Sequence, residues 1–130
     1  MGTPVAKSGH RVMGVDTHII LVPSPSGPIP TPTPLPFVGE LDDALSSSVF
    51  IDDQPAALVG SVARHVTGHV PIGGTFQKQP ANRGVVSENG ATIFIDDRRV
   101  ARVGDAVKCC SDANDGNGSI DGTGTVITDP

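Results

Sequence analysis

Val49–Gly60, VFIDDQPAALVG, recurs forty-four positions later as Ile93–Gly104, IFIDDRRVARVG, and this repeat is the main indication of the fold. Seven of the twelve residues are identical in the two copies. A fainter third copy opens the chain, where Pro4–Gly9 aligns with the second half of each of the other two. Recurrence of one segment indicates a single supersecondary unit that is used three times, along or around an axis.

Each full copy has the pattern of a β-hairpin. Val49, Phe50 and Ile51 predict a strand, Asp52-Asp53 a turn, and residues 56–59 a returning strand. Residues 93–103 repeat this pattern around a second Asp-Asp pair. Aspartates favour tight two-residue turns. Glycine closes each copy and permits a sharp change of direction there.

The composition favours an all-β fold over a helical one. The 130 residues amount to one domain and include 16 Gly and 12 Pro, both of which disfavour helix interiors. Val and Ile occur in short runs between turn residues, which is typical of strands. Trp and Tyr are absent and only four Phe are present, so the core is thin. Such a body would gain stability from a bound metal or from a partner.

The repeats divide the chain, predicted to be one domain over residues 1–130, into three units. We expect a proline-rich connector, PSPSGPIPTPTPLPF, to follow an extended path that is neither helix nor central strand. A polar connector follows it, with one helical turn predicted at Glu40–Leu45. The predicted boundaries are 4–22, 49–70 and 93–128 for the units, 23–37 and 38–48 for the connectors, and 71–90 and 111–122 for two glycine-rich loops.

Charge and hydropathy exclude several classes of function. The net charge is −5 and the basic residues are scattered, so no nucleic-acid partner is predicted. The longest clear apolar run, Ile19–Val22, is far too short to span a membrane. The first thirty residues lack the pattern of a signal peptide, so synthesis in the cytoplasm is expected. Cys109 and Cys110 are adjacent, which predicts free thiols because a disulfide between neighbours is strained.

Candidate metal ligands occupy related places in the three copies. His18 and His69 each stand nine residues after the glycine that closes their copy, while the third copy carries Cys109 and Cys110 five and six residues after its glycine. Histidine nitrogen and cysteine sulfur are the donors that zinc prefers, in tetrahedral sets of four. A fourth ligand must come from elsewhere. His65 stands five residues after Gly60, the same offset that Cys109 has from Gly104, and His10 directly follows Gly9.

Several segments of the chain, the repeats among them, resemble a known family. The segments 55–60 and 99–105 are similar to the Pro-Ala-Ala-Arg (PAAR) repeat, and the chain as a whole resembles the PAAR-like proteins that sharpen the spike of contractile injection systems. The resemblance covers nearly the whole chain. Its other segments are Gly14–Ile19, Pro36-Phe37, Val49–Ile51, Gly60-Ser61, His69–Pro71, Gly73–Lys78 and Gly124–Ile127.

The resemblance implies a fold and a metal site. It implies a small cone of three pseudo-threefold β-hairpins, with a flat base and an apex pinned by a structural zinc that three His and one Cys hold. His18, His69 and Cys110 match family ligands by position. Leu35 stands where relatives carry a further His, so the fourth ligand is open. His65 is the first substitute, and His10 and Cys109 are the next.

The resemblance also implies a function without catalysis. The base would cap a trimeric β-helical spike protein, and the tip would help to puncture the target envelope, touching the target membrane transiently. The protein would be loaded on the injection particle, delivered outside the cell, and could carry effector cargo. The threefold repeat suits this function, because each unit of one chain can meet one subunit of a threefold spike.

Two other classes of protein remain open. In a zinc-dependent hydrolase, His18, His69 and Cys110 would hold a catalytic zinc with an open position, and Asp16 would act as general base. In a plain β-rich extracellular binding module, the repeats would serve packing alone. The second alternative predicts neither a bound metal nor a trimeric partner.

Overall fold

The computed structural model describes residues 3–112 and 117–128, and within these ranges the protein is all-β, as predicted. The predicted loop 71–90 contains two short strands, Thr75–Phe76 and Arg83–Val86, so that prediction was partly wrong. The loop predicted over 111–122 lies partly outside the described residues, and its described part contains the strand Asn117–Asp121. No helix that could cross a membrane occurs in the described part of the chain. The strands are β1 Thr3–Pro4, β2 Arg11–Val22, β3 Ile29–Asp43, β4 Phe50–Ile51, β5 Gln54–Pro55, β6 Val62–His65, β7 Thr75–Phe76, β8 Arg83–Val86, β9 Phe94–Ile95, β10 Arg98–Arg99, β11 Ala106–Lys108, β12 Asn117–Asp121 and β13 Ile127–Thr128.

Six of the strands form a closed antiparallel ring. Its order is β2-β3-β6-β8-β11-β12, and β12 pairs again with β2. The ring consists of three strand pairs, β2/β3, β6/β8 and β11/β12, and each pair follows one copy of the repeat. The first unit therefore extends past the predicted residue 22 to Asp43, where β3 ends, and the second past the predicted residue 70 to Val86, where β8 ends, because each unit contains both strands of its pair.

The repeated segments fold as hairpins, as predicted, but their returning strands are Gln54–Pro55 and Arg98–Arg99, which precede the predicted 56–59 and 100–103. β4 pairs with β5, and β9 with β10, across two-residue Asp-Asp turns. Asp52 and Asp53 have φ of 51° and 66°, and Asp96 and Asp97 have 54° and 64°. Two consecutive positive φ values define the turn that matches the twist of a hairpin. The third hairpin has no turn, because β1 pairs with β13 from the other end of the chain.

A cycle of backbone hydrogen bonds joins the three units. Ala6 N–H donates to the Ala101 carbonyl, Ala101 N–H to that of Ala57, and Ala57 N–H to that of Ala6, each at 2.9 Å. The three alanines occupy the same position in the three copies and are fully buried. The pseudo-threefold relation between the copies is thus built into the backbone. We call this triangle, together with the three hairpins around it, the base.

The core behind the base is also built in threes. Its largest cluster contains the equivalent sets Ala6/Ala57/Ala101, Val12/Ala63/Val107 and Leu41/Val86/Ile120. Gly39, Gly84 and Gly118 each stand two residues before the last set. A Cβ added at any of them would lie 2.8–2.9 Å from its nearest atom, so these positions accept only glycine without movement of their neighbours.

The proline run follows an extended path, as predicted, and from Ile29 onward it forms strand β3, which pairs with β2 over residues 29–40. The pairing of β3 with β6 begins only at Gly39, so the prolines lie on the part of the strand that precedes this second pairing. Prolines occupy every second position from 30 to 36. The carbonyls of Pro36 and Val38 accept hydrogen bonds on the side away from β2, which shows that the even-numbered residues of this strand direct their backbone groups to that side. Since the even-numbered residues turn their nitrogens away from β2, the missing N–H groups disrupt no bond between these strands.

The predicted helical turn at Glu40–Leu45 is wrong. β3 continues through Asp43, because Leu41 N–H donates to the His10 carbonyl and residues 39–43 pair with β6. The strand ends at Asp43, and the next residue, Ala44, has a φ of 54°.

Candidate metal centre and apolar corners

Strand β2 brings the first two residues of the candidate site together. Successive side chains of a strand point to opposite faces, so residues two apart share a face. In β2, Val12, Asp16, His18 and Ile20 are all buried on the inner face. The sequence Asp16-Thr17-His18 thus places a carboxylate and an imidazole side by side inside the protein.

The fold adds His69 and Cys110 to this pair. One ligand atom from each of Asp16, His18, His69 and Cys110 lies within 4.8 Å of all the others. Asp16 Oδ2 is 2.8 Å from His69 Nε2 and accepts a hydrogen bond from the Cys110 thiol at 3.1 Å. Cys110 Sγ is 3.6 Å from His18 Nε2. The four side chains could hold a metal ion.

A buried carboxylate oxygen without a partner makes a cation favourable at this cluster. The side chains of Asp16 and His18 are fully buried, and that of His69 is only 2% exposed. Among the described residues, Asp16 Oδ1 has no hydrogen-bond partner. A buried carboxylate oxygen without a partner is costly, and coordination to a metal ion relieves that cost.

Protonation equilibria in the cluster are set mainly by the same burial. Burial lowers the pKa of His69, and the hydrogen bond to Asp16 partly opposes this shift. Burial raises the pKa of the Cys110 thiol to about 11, and the hydrogen bond and negative charge of Asp16 act in the same direction. Without a metal the thiol is therefore protonated at neutral pH, and it must lose that proton to become a ligand.

His65, the predicted fourth ligand, stands beside the cluster. Its ring lies 4.5 Å from that of His69, edge to face, and 4.8 Å from that of Phe37. Its Nε2 is 3.2 Å from the Pro36 carbonyl oxygen. The compact group of four donors has Asp16 where His65 was predicted.

The other two candidates, His10 and Cys109, are used elsewhere in the fold. His10 Nδ1 accepts a hydrogen bond from Lys7 N–H at 3.3 Å, at the turn after the first copy. Ser61 and Asp105 do the same at the two equivalent turns. Cys109 packs in the main core, where burial raises the pKa of its thiol to about 12.

Asp16 is the member of the cluster that the metal prediction missed. It pairs directly with Leu35 across β2 and β3, and Leu35 is the position where the resemblance led us to expect a further ligand. Directly opposite side chains lie on the same face of a sheet about 5 Å apart. A donor missing from one strand is therefore replaced by one on its neighbour. The Asp-x-His spacing on a predicted strand was the signal available in the sequence.

The base carries a second candidate site, which we call the apolar corners. Each hairpin exposes two apolar residues at equivalent positions. The first members of the three pairs are Val49, Ile93 and Val126. Their equivalence is shown by their carbonyls, which accept hydrogen bonds from the N–H groups of Ala56, Val100 and Val5 respectively. Phe50, Phe94 and Ile127 follow them, with 59%, 56% and 51% of their surface exposed. The corners are thus three copies of one exposed apolar pair, arranged around the alanine triangle.

Comparisons with protein-family models, with curated proteins and with solved structures gave no match to this chain. The function is therefore inferred from the geometry of these two sites and from the sequence motifs.

Proposed function

We propose that this protein is the tip of a contractile injection system, where its base caps a trimeric β-helical spike. The observation that carries the proposal is the set of three apolar corners around the alanine triangle. Exposed apolar patches on a small protein mark interaction sites. Their threefold arrangement fits a threefold partner, because each corner of one chain can meet one of three identical subunits.

The metal centre fits a structural role in this proposal. Two imidazoles, a thiolate and a carboxylate are an accepted donor set for zinc, and four protein ligands are typical of structural sites. With zinc bonds of about 2.0 to 2.3 Å, nitrogen and sulfur ligands lie about 3.5 Å apart, close to the 3.6 Å between His18 Nε2 and Cys110 Sγ. A zinc here would tie β2 to the segments that carry His69 and Cys110. It would thereby stiffen the part of the protein that leads during puncture.

The hydrolase alternative needs an open coordination position and a general base beside it. Asp16, the expected base, contacts both Cys110 and His69 and is well placed to be the fourth ligand. A groove of about 290 Å³ passes the site between Leu35 and Ile72. The His69 side chain is nevertheless only 2% exposed. A closed set of four ligands favours structure over catalysis.

The apolar corners are tested by capture of the chain on a purified trimeric β-helical spike. Ile127→Asp should abolish capture or weaken it more than tenfold, since burying an unpaired carboxylate is costly. Phe50→Asp and Phe94→Asp should act similarly. Ile29→Asp is the matched control, because Ile29 is a strand residue with the same 51% exposure outside the base. Val66→Asp is the control for Phe50→Asp, with the same 59% exposure.

The controls also define the result that would refute the proposal. If Ile29→Asp or Val66→Asp blocked capture while all three corner variants were captured normally, the binding face would lie elsewhere. Because every substituted side chain is exposed, the variants should fold, and their melting temperatures provide the check.

A further inference from the structure

We propose that Asp112 is a positioning residue, which fixes the tautomer of His18 and so directs the lone pair of its Nε2 toward the metal cluster. The inference rests on the metal centre of the proposed function and adds a residue outside the four candidate ligands. It also explains why the segment after Cys110 is held so tightly against β2.

The segment Cys110–Asp112 is bound to the backbone of β2 by hydrogen bonds. Thr17 N–H donates to Ser111 Oγ at 3.0 Å, and the Thr17 carbonyl accepts from Ser111 Oγ at 3.1 Å and from Asp112 N–H at 2.8 Å. Ile19 N–H donates to Asp112 Oδ2 at 3.0 Å. The bonds to Thr17 and Ile19 flank His18, so they hold the Asp112 carboxylate beside its ring.

The second oxygen of Asp112 faces the ring itself. Asp112 Oδ1 is 3.3 Å from His18 Nδ1, which is an ion-pair distance although the two atoms are not aligned as a hydrogen bond. The opposite ring nitrogen, Nε2, is 3.6 Å from Cys110 Sγ, inside the cluster. The His18 side chain is fully buried, so solvent does not provide an alternative partner for either nitrogen.

The charge of Asp112 decides between the two neutral forms of His18. A neutral imidazole carries one proton, on Nδ1 or on Nε2. A proton on Nδ1 faces a carboxylate, which stabilises it, and leaves Nε2 with a free lone pair. A proton on Nε2 would occupy the lone pair that a metal needs. Carboxylates that hold the outer nitrogen of a histidine ligand in this way orient the ring and raise its basicity.

The same short segment therefore supplies a ligand and a positioning group. Cys110 contributes its sulfur to the cluster, and Asp112, two residues later, fixes His18 from the other side of the ring. Because β2 carries Asp16 and His18, docking this segment on β2 brings three of the four donors together.

The test uses the full chain labelled with ¹⁵N and freed of metal, in which long-range ¹H–¹⁵N spectra report which nitrogen of His18 is protonated. We expect Nδ1–H in the unsubstituted protein. Asp112→Asn has the same shape, but its single carbonyl oxygen can take the place of Oδ2 beside Ile19 N–H or of Oδ1 beside His18 Nδ1, and its amide NH₂ group then takes the other place. We expect the proton to shift toward Nε2. Zinc affinity, measured by competition with a chromophoric chelator, should fall 10- to 100-fold.

Asp42→Asn is the control, because it removes the same charge from an exposed carboxylate that pairs with Arg64. It should change neither the tautomer nor the zinc affinity. An Asp112→Asn variant that keeps Nδ1–H and normal affinity would overturn the proposal. So would Nε2–H on His18 in the unsubstituted metal-free protein, a result that does not require the variant to fold. If Asp112→Asn shifts the proton as expected but the unsubstituted protein binds no zinc, the metal centre is refuted while the effect of Asp112 on the tautomer of His18 stands.

Discussion

The base and the metal centre are built by different rules. The base uses the same sequence three times, and its hydrogen bonds follow the repeat, as the cycle through Ala6, Ala57 and Ala101 shows. The metal centre is built once, from a strand, a loop and the segment after β11. At about 3.3 Å per residue, His18 lies roughly 20 Å along β2 from Arg11, where the strand leaves the base. Repetition gives a threefold surface at the base, whereas in the metal centre the three units contribute different residue types, which form a single asymmetric site.

This difference leads to separate expectations for the two regions. The base is held by backbone bonds and by small buried side chains, so its stability should not depend on an ion. The metal centre contains buried polar groups that satisfy one another incompletely, so its stability should depend on one.

The largest effect is expected from removing the metal. Purified protein should contain about one zinc, as closed structural sites do. With free zinc at 100 times the Kd, zinc contributes about 2.7 kcal/mol, so chelation should lower Tm by roughly 10 °C. Metal analysis and thermal melts with and without chelator provide the measurement. His69→Ala should melt at a lower temperature and no longer respond to chelator. If the purified protein contains no metal and its Tm changes with neither zinc nor chelator, the stability of the metal centre does not depend on an ion, and the expected difference between the two regions is wrong.

An intermediate effect is expected in the threefold core. Gly84→Ala and Gly118→Ala place a Cβ within 2.8 and 2.9 Å of existing atoms, and overpacking of this kind costs about 1–3 kcal/mol. Because the two positions are equivalent, the losses of unfolding free energy should be similar. Gly90→Ala is the control, since a Cβ there meets nothing within 4 Å. Denaturant unfolding that finds all three variants equally stable would contradict the layered core.

Much of the base was predictable from sequence, because its information is local and repeated. Each Asp-Asp turn and its flanking strands follow from residues that are adjacent in the chain. The third hairpin was not predictable in this way, since β1 and β13 meet from opposite ends. The Gly-x-apolar pattern at Gly39, Gly84 and Gly118 was present in the sequence, but it becomes meaningful only when three strand pairs close into a ring.

The metal centre was predicted in part. The offsets of His18 and His69 from their glycines, and the family resemblance in the case of Cys110, selected three residues that the fold brings together. Asp16 was considered only as a catalytic base, because choosing a ligand on one strand over one on its neighbour requires the register of β2 against β3. Asp112 gave no signal, since its role depends on how its segment docks on β2.

The smallest effect is expected from an exposed ion pair between two units of the base. Lys7 Nζ lies 3.1 Å from Asp52 Oδ2, and the hydrogen bond and charge of Lys7 lower the pKa of Asp52 from its usual 3.8. A lowered pKa in the folded state means that the pair stabilises the protein above pH 3.8 and ceases to do so as the pH falls through the lowered value. Replacing Asp52 by Asn should keep the turn, since Asn tolerates the positive φ of this position.

Asp52→Asn should therefore lower Tm slightly at pH 7, as is usual for surface pairs. The difference from the unsubstituted protein should disappear in strong acid. Asp53→Asn, which changes the same turn one residue from the ion pair, is the control in thermal melts at pH 2 to 7. A difference that grew as the pH fell would mean that Asp52 stabilises the fold by some means other than its charge.

Stoichiometry tests whether three units of one chain match a threefold partner. Native mass spectrometry of this protein mixed with a trimeric β-helical spike measures the stoichiometry. We expect a monomer in isolation and, in the mixture, one copy of this chain on three spike subunits, because the three apolar corners are used together. A self-trimer, or three copies bound to one spike trimer, would contradict it.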